Sequence, residues 1–186
     1  LIVVSLCSTP PFPRKYRHNI QGYRLQTRHI VGNYSQRVHI ELISLLLYDG
    51  AMKTNAMRIL EMKKIPFEVL TLPIDEEVLD AVHAAHLGGV DPQLVFKTIV
   101  MVNEQKQYFV FCVPADRSIS VKIARQLTKS KSLELVKLSE IQAVTGYIRG
   151  GCSPIGMKRL FPTYIDESAF ALPFIYVSAG KRGFQV

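Results

Sequence analysis

Two apolar, β-rich runs constrain the fold of this chain more than any other feature. They are Phe96 to Val102 and Tyr108 to Val113, separated only by the polar stretch Asn103-Glu104-Gln105-Lys106-Gln107. Such runs with a short polar link predict an antiparallel hairpin. Helical patterns flank it. Thr54 or Asn55 is placed to cap a helix with Ala56, Ile59, Leu60 and the stem of Lys63 on its apolar face, and Pro66 ends it. Phe67, Val69 and Leu72 suggest a strand. Asp75, Glu76 and Glu77 suit a helix start, with Val78, Val82 and Ala85 on one face and Gly88-Gly89 as its stop. Asp91-Pro92 reads as a cap with proline at the first helical position. Ser120 opens a helix with Val121, Ala124 and Leu127 inward. Leu133 to Val136 is a short strand, and Ser139-Glu140-Ile141-Gln142 fits a capping box before a helix ended by Gly146. Thr163 to Ile165 and Phe174 to Val177 are further strands. The expectation is an α+β domain: a mixed, mostly antiparallel sheet with packed helices.

A chain of 186 residues, 48% hydrophobic, suffices for one ordinary core and extra material. The net charge of +8 is compatible with a polyanionic partner such as RNA. The surplus is divided evenly. Residues 1–51 hold six Lys/Arg against two Asp/Glu, and residues 52–186 hold seventeen against thirteen. Three cysteines, Cys7, Cys112 and Cys152, lack paired spacing, which argues for a reducing compartment and against a disulfide scaffold. His83 and His86 lie three apart on a predicted helix, but no third ligand accompanies them. Solvated histidines are the expectation, with no metal and no cofactor. Leu1 to Cys7 and Leu42 to Leu47 are apolar but too short to cross a bilayer. Residues 1–51 are expected to be a leader outside the core, with Met52 as the natural start; a basic RNA-binding extension is the rival reading.

Residues 146–156 read Gly-Tyr-Ile-Arg-Gly-Gly-Cys-Ser-Pro-Ile-Gly. Four glycines leave the backbone bare, and proline fixes the exit. Such a loop is able to aim backbone donors at a phosphate or a carbonyl oxygen; alternatively it is a tight turn between strands. Two segments accompany it: Phe96-Lys97-Thr98 at the mouth of a predicted strand, and Ser178-Ala179-Gly180-Lys181-Arg182-Gly183 just after another.

These segments resemble the YbaK/EbsC family of aminoacyl-tRNA deacylases, which is related to the editing domain of bacterial prolyl-tRNA synthetases. The match is carried by residues 53–58, Val95-Phe96-Lys97-Thr98, Gly146 through Lys158, residues 161–167, and Tyr176 through Lys181. It runs from about Met52 to the end. Three departures stand out: Leu72 where members carry tyrosine, Asp80-Ala81 where they carry Asp-Gly, and no further strand and helix after the Gly-Lys-X-Gly motif. The last reads as a truncated C-terminus.

The resemblance implies a cytoplasmic hydrolase that cleaves the ester of mischarged Cys-tRNA(Pro). Its partners would be the tRNA acceptor end and prolyl-tRNA synthetase, with no DNA and no membrane. Cysteine and proline are close in size, and an apolar pocket separates such ligands by only about 1–3 kcal/mol. Lys97 is the expected anchor for a phosphate or ribose oxygen. Backbone N–H groups around Gly150, Gly151 and Ser153 are expected to hold the ester carbonyl and its developing oxyanion. Thr98, Ser153, Pro154, Ser178 and Lys181 are the expected substrate-binding residues. The substrate's own thiol is the expected nucleophile, with Cys152 structural. The alternatives are a non-catalytic tRNA-binding or regulatory protein on the same scaffold, and a redox protein using Cys152.

Overall fold

The computed structural model describes residues 2–3, 53–74 and 80–186. The predicted hairpin is its centre. Strands β3 (Val95–Asn103) and β4 (Tyr108–Pro114) pair antiparallel, with Thr98 opposite Cys112 and Val100 opposite Val110. The turn holds because Asn103 Oδ1 accepts from the backbone N–H of Gln105 and Gln107, while Lys106 takes φ 60°. Around the hairpin lie β1 (Ile2–Val3), β5 (Leu133–Leu135), β6 (Thr163–Ile165) and β7 (Tyr176–Val177). The order across the sheet is β1-β6-β4-β3-β5, with β7 also on β3. The β4–β6 and β3–β7 pairs are parallel, and the others are antiparallel. A separate pair joins β2 (Leu70–Thr71) to β8 (Phe184–Gln185).

Both faces of the hairpin are covered, which is why its strands are mostly apolar rather than alternating, with Lys97 and Thr98 as the polar break in β3. On one face Phe96 and Cys112 pack on Met57 and Leu60 of α1 (Asn55–Met62), while Val100 and Val110 meet Ile141 and Val144 of α4 (Leu138–Thr145). On the other, Met101, Phe109 and Phe111 pack on Ala124 of α3 (Val121–Thr128), and Val95 meets Ala85 of α2 (Ala81–Leu87). Phe111 also stacks on Tyr164, with centroids 5.1 Å apart.

The helices start where their caps dictate. Thr54 accepts from Met57 N–H, Ser120 from Ile123 N–H, and Asp91 from Gln93 N–H at the start of a 3-10 turn, Pro92–Leu94. Several expectations are corrected. Ser139 lies inside α4, whose N-cap is Lys137 with no side-chain bond, so the capping box does not form. Val121, expected to face inward, is exposed in the first turn of α3, where Ala124 is the buried residue. The strand over residues 67–72 shrinks to β2, because only Leu70 and Thr71 find a partner in β8. Helix α2 begins at Ala81, capped by Asp80. The expected start at Asp75 to Val78 lies outside the described residues, as does the leader reading apart from Ile2–Val3.

Candidate active site

Strand β3 is paired along one edge by β4. Its other edge is shared end to end: β7 covers Val95 and Phe96, and β5 covers Met101 to Asn103. Between them, at Lys97 to Ile99, no strand pairs among the described residues. A cavity of about 280 Å³ opens at this gap. Successive β3 side chains point to opposite faces, so Lys97 and Thr98 reach it from the two sides of the sheet. Gly150, Cys152, Ser178, Arg182 and Gln185 complete its polar wall, with Leu72, Ala81 and Ala84 on the apolar side.

Lys97 Nζ donates to the Ala115 carbonyl at 2.8 Å. An ammonium carries three donors, so two N–H groups stay available to a ligand. The anchor holds the charge at the mouth of the cleft instead of letting the flexible stem sweep through solvent.

The glycine loop is built as a strut. Tyr147 Oη donates to the Ile155 carbonyl at 2.6 Å, and Asn55 Nδ2 donates to the Gly156 carbonyl at 2.9 Å, tying the loop to α1. Burial pushes the Tyr147 hydroxyl above its ordinary pKa. Gly150 has φ 80°, a region costly for other residues. A Cβ on Gly151 would meet the backbone of Lys181 and Arg182 at 3.0–3.2 Å. The two glycine-rich segments therefore touch backbone to backbone. Arg182 seals the contact, lying over Gly150 with Nε donating to the Arg149 carbonyl at 2.8 Å.

The expected residues separate into two groups. Lys97, Thr98, Gly150 and Ser178 line the cavity. Gly151 shapes it, but its N–H donates to the Ile148 carbonyl at 3.0 Å and is spent in the turn. Gly150 and Cys152, both on the cavity wall, have amides that no acceptor takes among the described residues, as does Ser153. Ser153 is fully buried, with Oγ accepting from Ile155 N–H. Pro154 lines a different, apolar cavity of about 260 Å³ with Cys112, Ile165 and Val177. Lys181 lies off the wall, its Nζ 5.1 Å from the Phe184 ring centroid. In the sequence Gln185 carries no signal, and Arg182, like Lys181, reads equally as a contact to RNA phosphates or as an exposed turn charge. Arg182 follows the Gly-Lys pair, a signal open to use; Gln185 sits in a two-residue strand with no periodicity to find.

Cys152 faces the cavity, yet burial pushes its thiol up to about 11 despite a hydrogen bond with Thr145. Cys112 is deeper, and burial raises it to about 12. Neither offers a thiolate near neutral pH. Among the described residues no three His, Cys, Asp or Glu side chains group to hold a metal ion. No described helix is long and apolar enough to cross a membrane.

A mixed sheet with helices on both faces and an edge cavity of ammonium and backbone amides defines the class: an editing-domain-like α+β fold. Solved structures share it. One reported as "Crystal structure of a putative trans-editing enzyme for prolyl tRNA synthetase" superposes with TM-score 0.61 at 24% identity, covering 73% of this chain and 86% of its own. Another, "Crystal structure of hypothetical protein APE2540", gives 0.64 at 17% identity, covering 70% and 85%. The family model described as "Aminoacyl-tRNA editing domain" matches residues 75–186. A relative from Enterococcus faecalis (strain ATCC 700802 / V583), named "Putative Cys-tRNA(Pro)/Cys-tRNA(Cys) deacylase EbsC", is 41% identical over 134 residues, covering 72% of this chain and 82% of the relative. The chain belongs to the aminoacyl-tRNA editing-domain family. It is accordingly a hydrolase acting on mischarged tRNA.

Proposed function

We propose that this chain removes cysteine from Cys-tRNA(Pro) in trans, with the substrate's thiol as nucleophile. The observation that carries the reading is the β3-edge cavity: it gathers a fixed ammonium and two unengaged backbone amides, while the protein thiol on its wall is held protonated. Such a wall stabilises negative charge and supplies no nucleophile of its own. The name of the Enterococcus faecalis relative supports the choice of cysteine as the amino acid.

Lys97 pairs with a phosphate or ribose oxygen of the acceptor end as a compact point charge. The amides of Gly150 and Cys152 hold the ester carbonyl oxygen as it becomes an oxyanion; one such donor contributes on the order of 10²–10³ in rate. The cysteinyl sulfur attacks its own carbonyl carbon, a C–S bond forms, and the C–O bond to the ribose breaks. The thiol proton ends on the departing ribose hydroxyl. Water then opens the thioester ring and releases cysteine. Tethering of nucleophile to carbonyl supplies the effective concentration. Thr98 and Ser178 line the space beside the aminoacyl group, and prolyl-tRNA synthetase, the source of the error, is the proposed companion.

The test is a panel of mischarged tRNAs. Cys-tRNA(Pro) should be cleaved much faster than Ser- or Ala-tRNA, whose attacking groups are weaker or absent. Lys97→Ala should lose nearly all activity and Lys97→Arg most of it, since a planar fork does not fit where an ammonium is seated. Equal rates on cysteinyl and alanyl esters would sink the thiol-assisted mechanism.

A further inference from the structure

Gln185 Oε1 on the cavity wall is buried without a hydrogen-bond partner, and Thr98 Oγ1, also buried, has only the Cys112 thiol across the hairpin beside it. A fold rarely leaves such a group unpaired unless something outside the chain completes it. The two differ chemically. A threonine hydroxyl both donates and accepts, whereas a carboxamide oxygen only accepts. What completes Gln185 is therefore a donor.

The rest of the polar wall sharpens the point. Lys97, Arg182 and the amides of Gly150 and Cys152 all donate. They suit phosphate, ribose and carbonyl oxygens. Among the side-chain acceptors, Ser178 Oγ accepts from Gly180 N–H, and Asp80, exposed at the rim, uses Oδ2 to cap α2 through His83 N–H and keeps Oδ1 in solvent. A ligand with both oxygens and a cationic nitrogen would find in Gln185 the pure side-chain acceptor that is buried and unpartnered, where Asp80 is hydrated at the rim. Its backbone is fixed between two neighbours, paired to Leu70 on one side and bridged to Ser178 on the other. The terminal amide torsion is broad, so Oε1 has rotational freedom to meet a donor.

We propose that Gln185 accepts a hydrogen bond from the α-ammonium of the aminoacyl group, making the site selective for a free α-amino group over an N-acylated one. The inference rests on the deacylase reading above. It adds a specificity residue and a substrate boundary: peptidyl or N-acyl esters of the same tRNA are rejected.

The probes are a non-hydrolysable amide, 3′-cysteinylamido-3′-deoxyadenosine, and its N-acetyl form, with binding measured by calorimetry. The wild-type chain should bind the free-amino probe about 10- to 100-fold more tightly, the worth of a hydrogen bond to a charged group. Gln185→Leu should shrink that ratio to within about twofold, while Gln185→Glu, which keeps an acceptor and adds a charge, should preserve or enlarge it. Folding is checked by circular dichroism, and Gln185→Glu reads the trend even where Gln185→Leu is unstable. The inference is overturned if the wild-type chain binds neither probe or both equally, if the ratio survives Gln185→Leu, or if it collapses with the acceptor-preserving Gln185→Glu. Hydrolysis of Cys-tRNA(Pro) is measured alongside. Amine discrimination without hydrolysis would sink the deacylase reading and leave the recognition role standing. Hydrolysis with discrimination untouched by Gln185→Leu would do the reverse.

Discussion

At the scale of single residues, the site depends on which groups are spent and which are spare. Gly151 was expected to donate to the substrate, but its amide closes a turn and its missing side chain is what matters. Gly151→Ala should push the Lys181–Arg182 backbone away from the loop. Backbone does not yield as a flexible side chain does, so a cost of about 1–3 kcal/mol, read by denaturant unfolding, is expected. Melts equal to wild type would mean that the two segments are not in contact. Cys152 gives a chemical readout. With its thiol held near about 11, only about one molecule in a thousand carries the thiolate at pH 8. Alkylation of the folded chain at Cys152 should be far slower than in urea, and Cys152→Ala should keep most deacylation. Fast alkylation together with an inactive Cys152→Ala would replace substrate-thiol attack by an enzyme-thiol mechanism.

At the scale of elements, the clearest pH-dependent contact is the corner after β6. Asp166 accepts from the N–H and Oγ of Ser168 at 3.0 and 2.7 Å, opening a 3-10 turn, Glu167–Ala171, with Arg117 at 3.9 Å. Burial pushes its pKa up, but the Ser168 bonds and the Arg117 charge outweigh it, and the net shift is downward. A depressed carboxylate contributes stability that is present above its unfolded pKa, about 3.9, and lost as pH falls through the folded value. Asp166→Asn should therefore be less stable than wild type at pH 7, with the gap closing below about pH 4 in thermal melts. A gap that widened in acid would refute this. The same corner shows what the sequence makes legible. Caps are local, so Thr54, Ser120 and Asp91 were readable from a few neighbours. The apparent box at Ser139 misled because Val136 is drawn into the sheet, its N–H donating to the Val100 carbonyl. The chain then has only Lys137 left on which to turn into α4. Lys97 and Gly150 were legible as charge and bare backbone beside apolar runs. Gln185 was not, since its place depends on β8 pairing with a strand more than a hundred residues away in sequence.

At the scale of the whole molecule, the question is which part of the chain carries fold and chemistry. Every buried cluster is built from residues at or beyond Ala56 among those described, and the family model begins at residue 75. The sheet gains Ile2 and Val3 on its β6 edge, a two-residue pairing opposite Ile165 and Tyr164. Two edge residues fix little structure, and losing them exposes only a short strand edge. Charge pulls the other way. Residues 1–51 carry half of the net surplus of +8, and affinity for a polyanion falls with salt in proportion to the phosphates neutralised. We therefore propose that residues 52–186 fold and hydrolyse alone. The shortened chain should melt within about 5 °C of the full one, roughly the effect of a single 1 kcal/mol change in a domain of this size. Its turnover of Cys-tRNA(Pro) at saturating substrate should match the full chain. KM at low salt separates the leader from the RNA-binding extension: an unchanged KM marks a leader, and a rise that vanishes at high salt marks an extension holding phosphates. A melt lowered by much more than 5 °C, with turnover lost, would mean that residues 1–51 complete the core and that the fold does not begin at Met52.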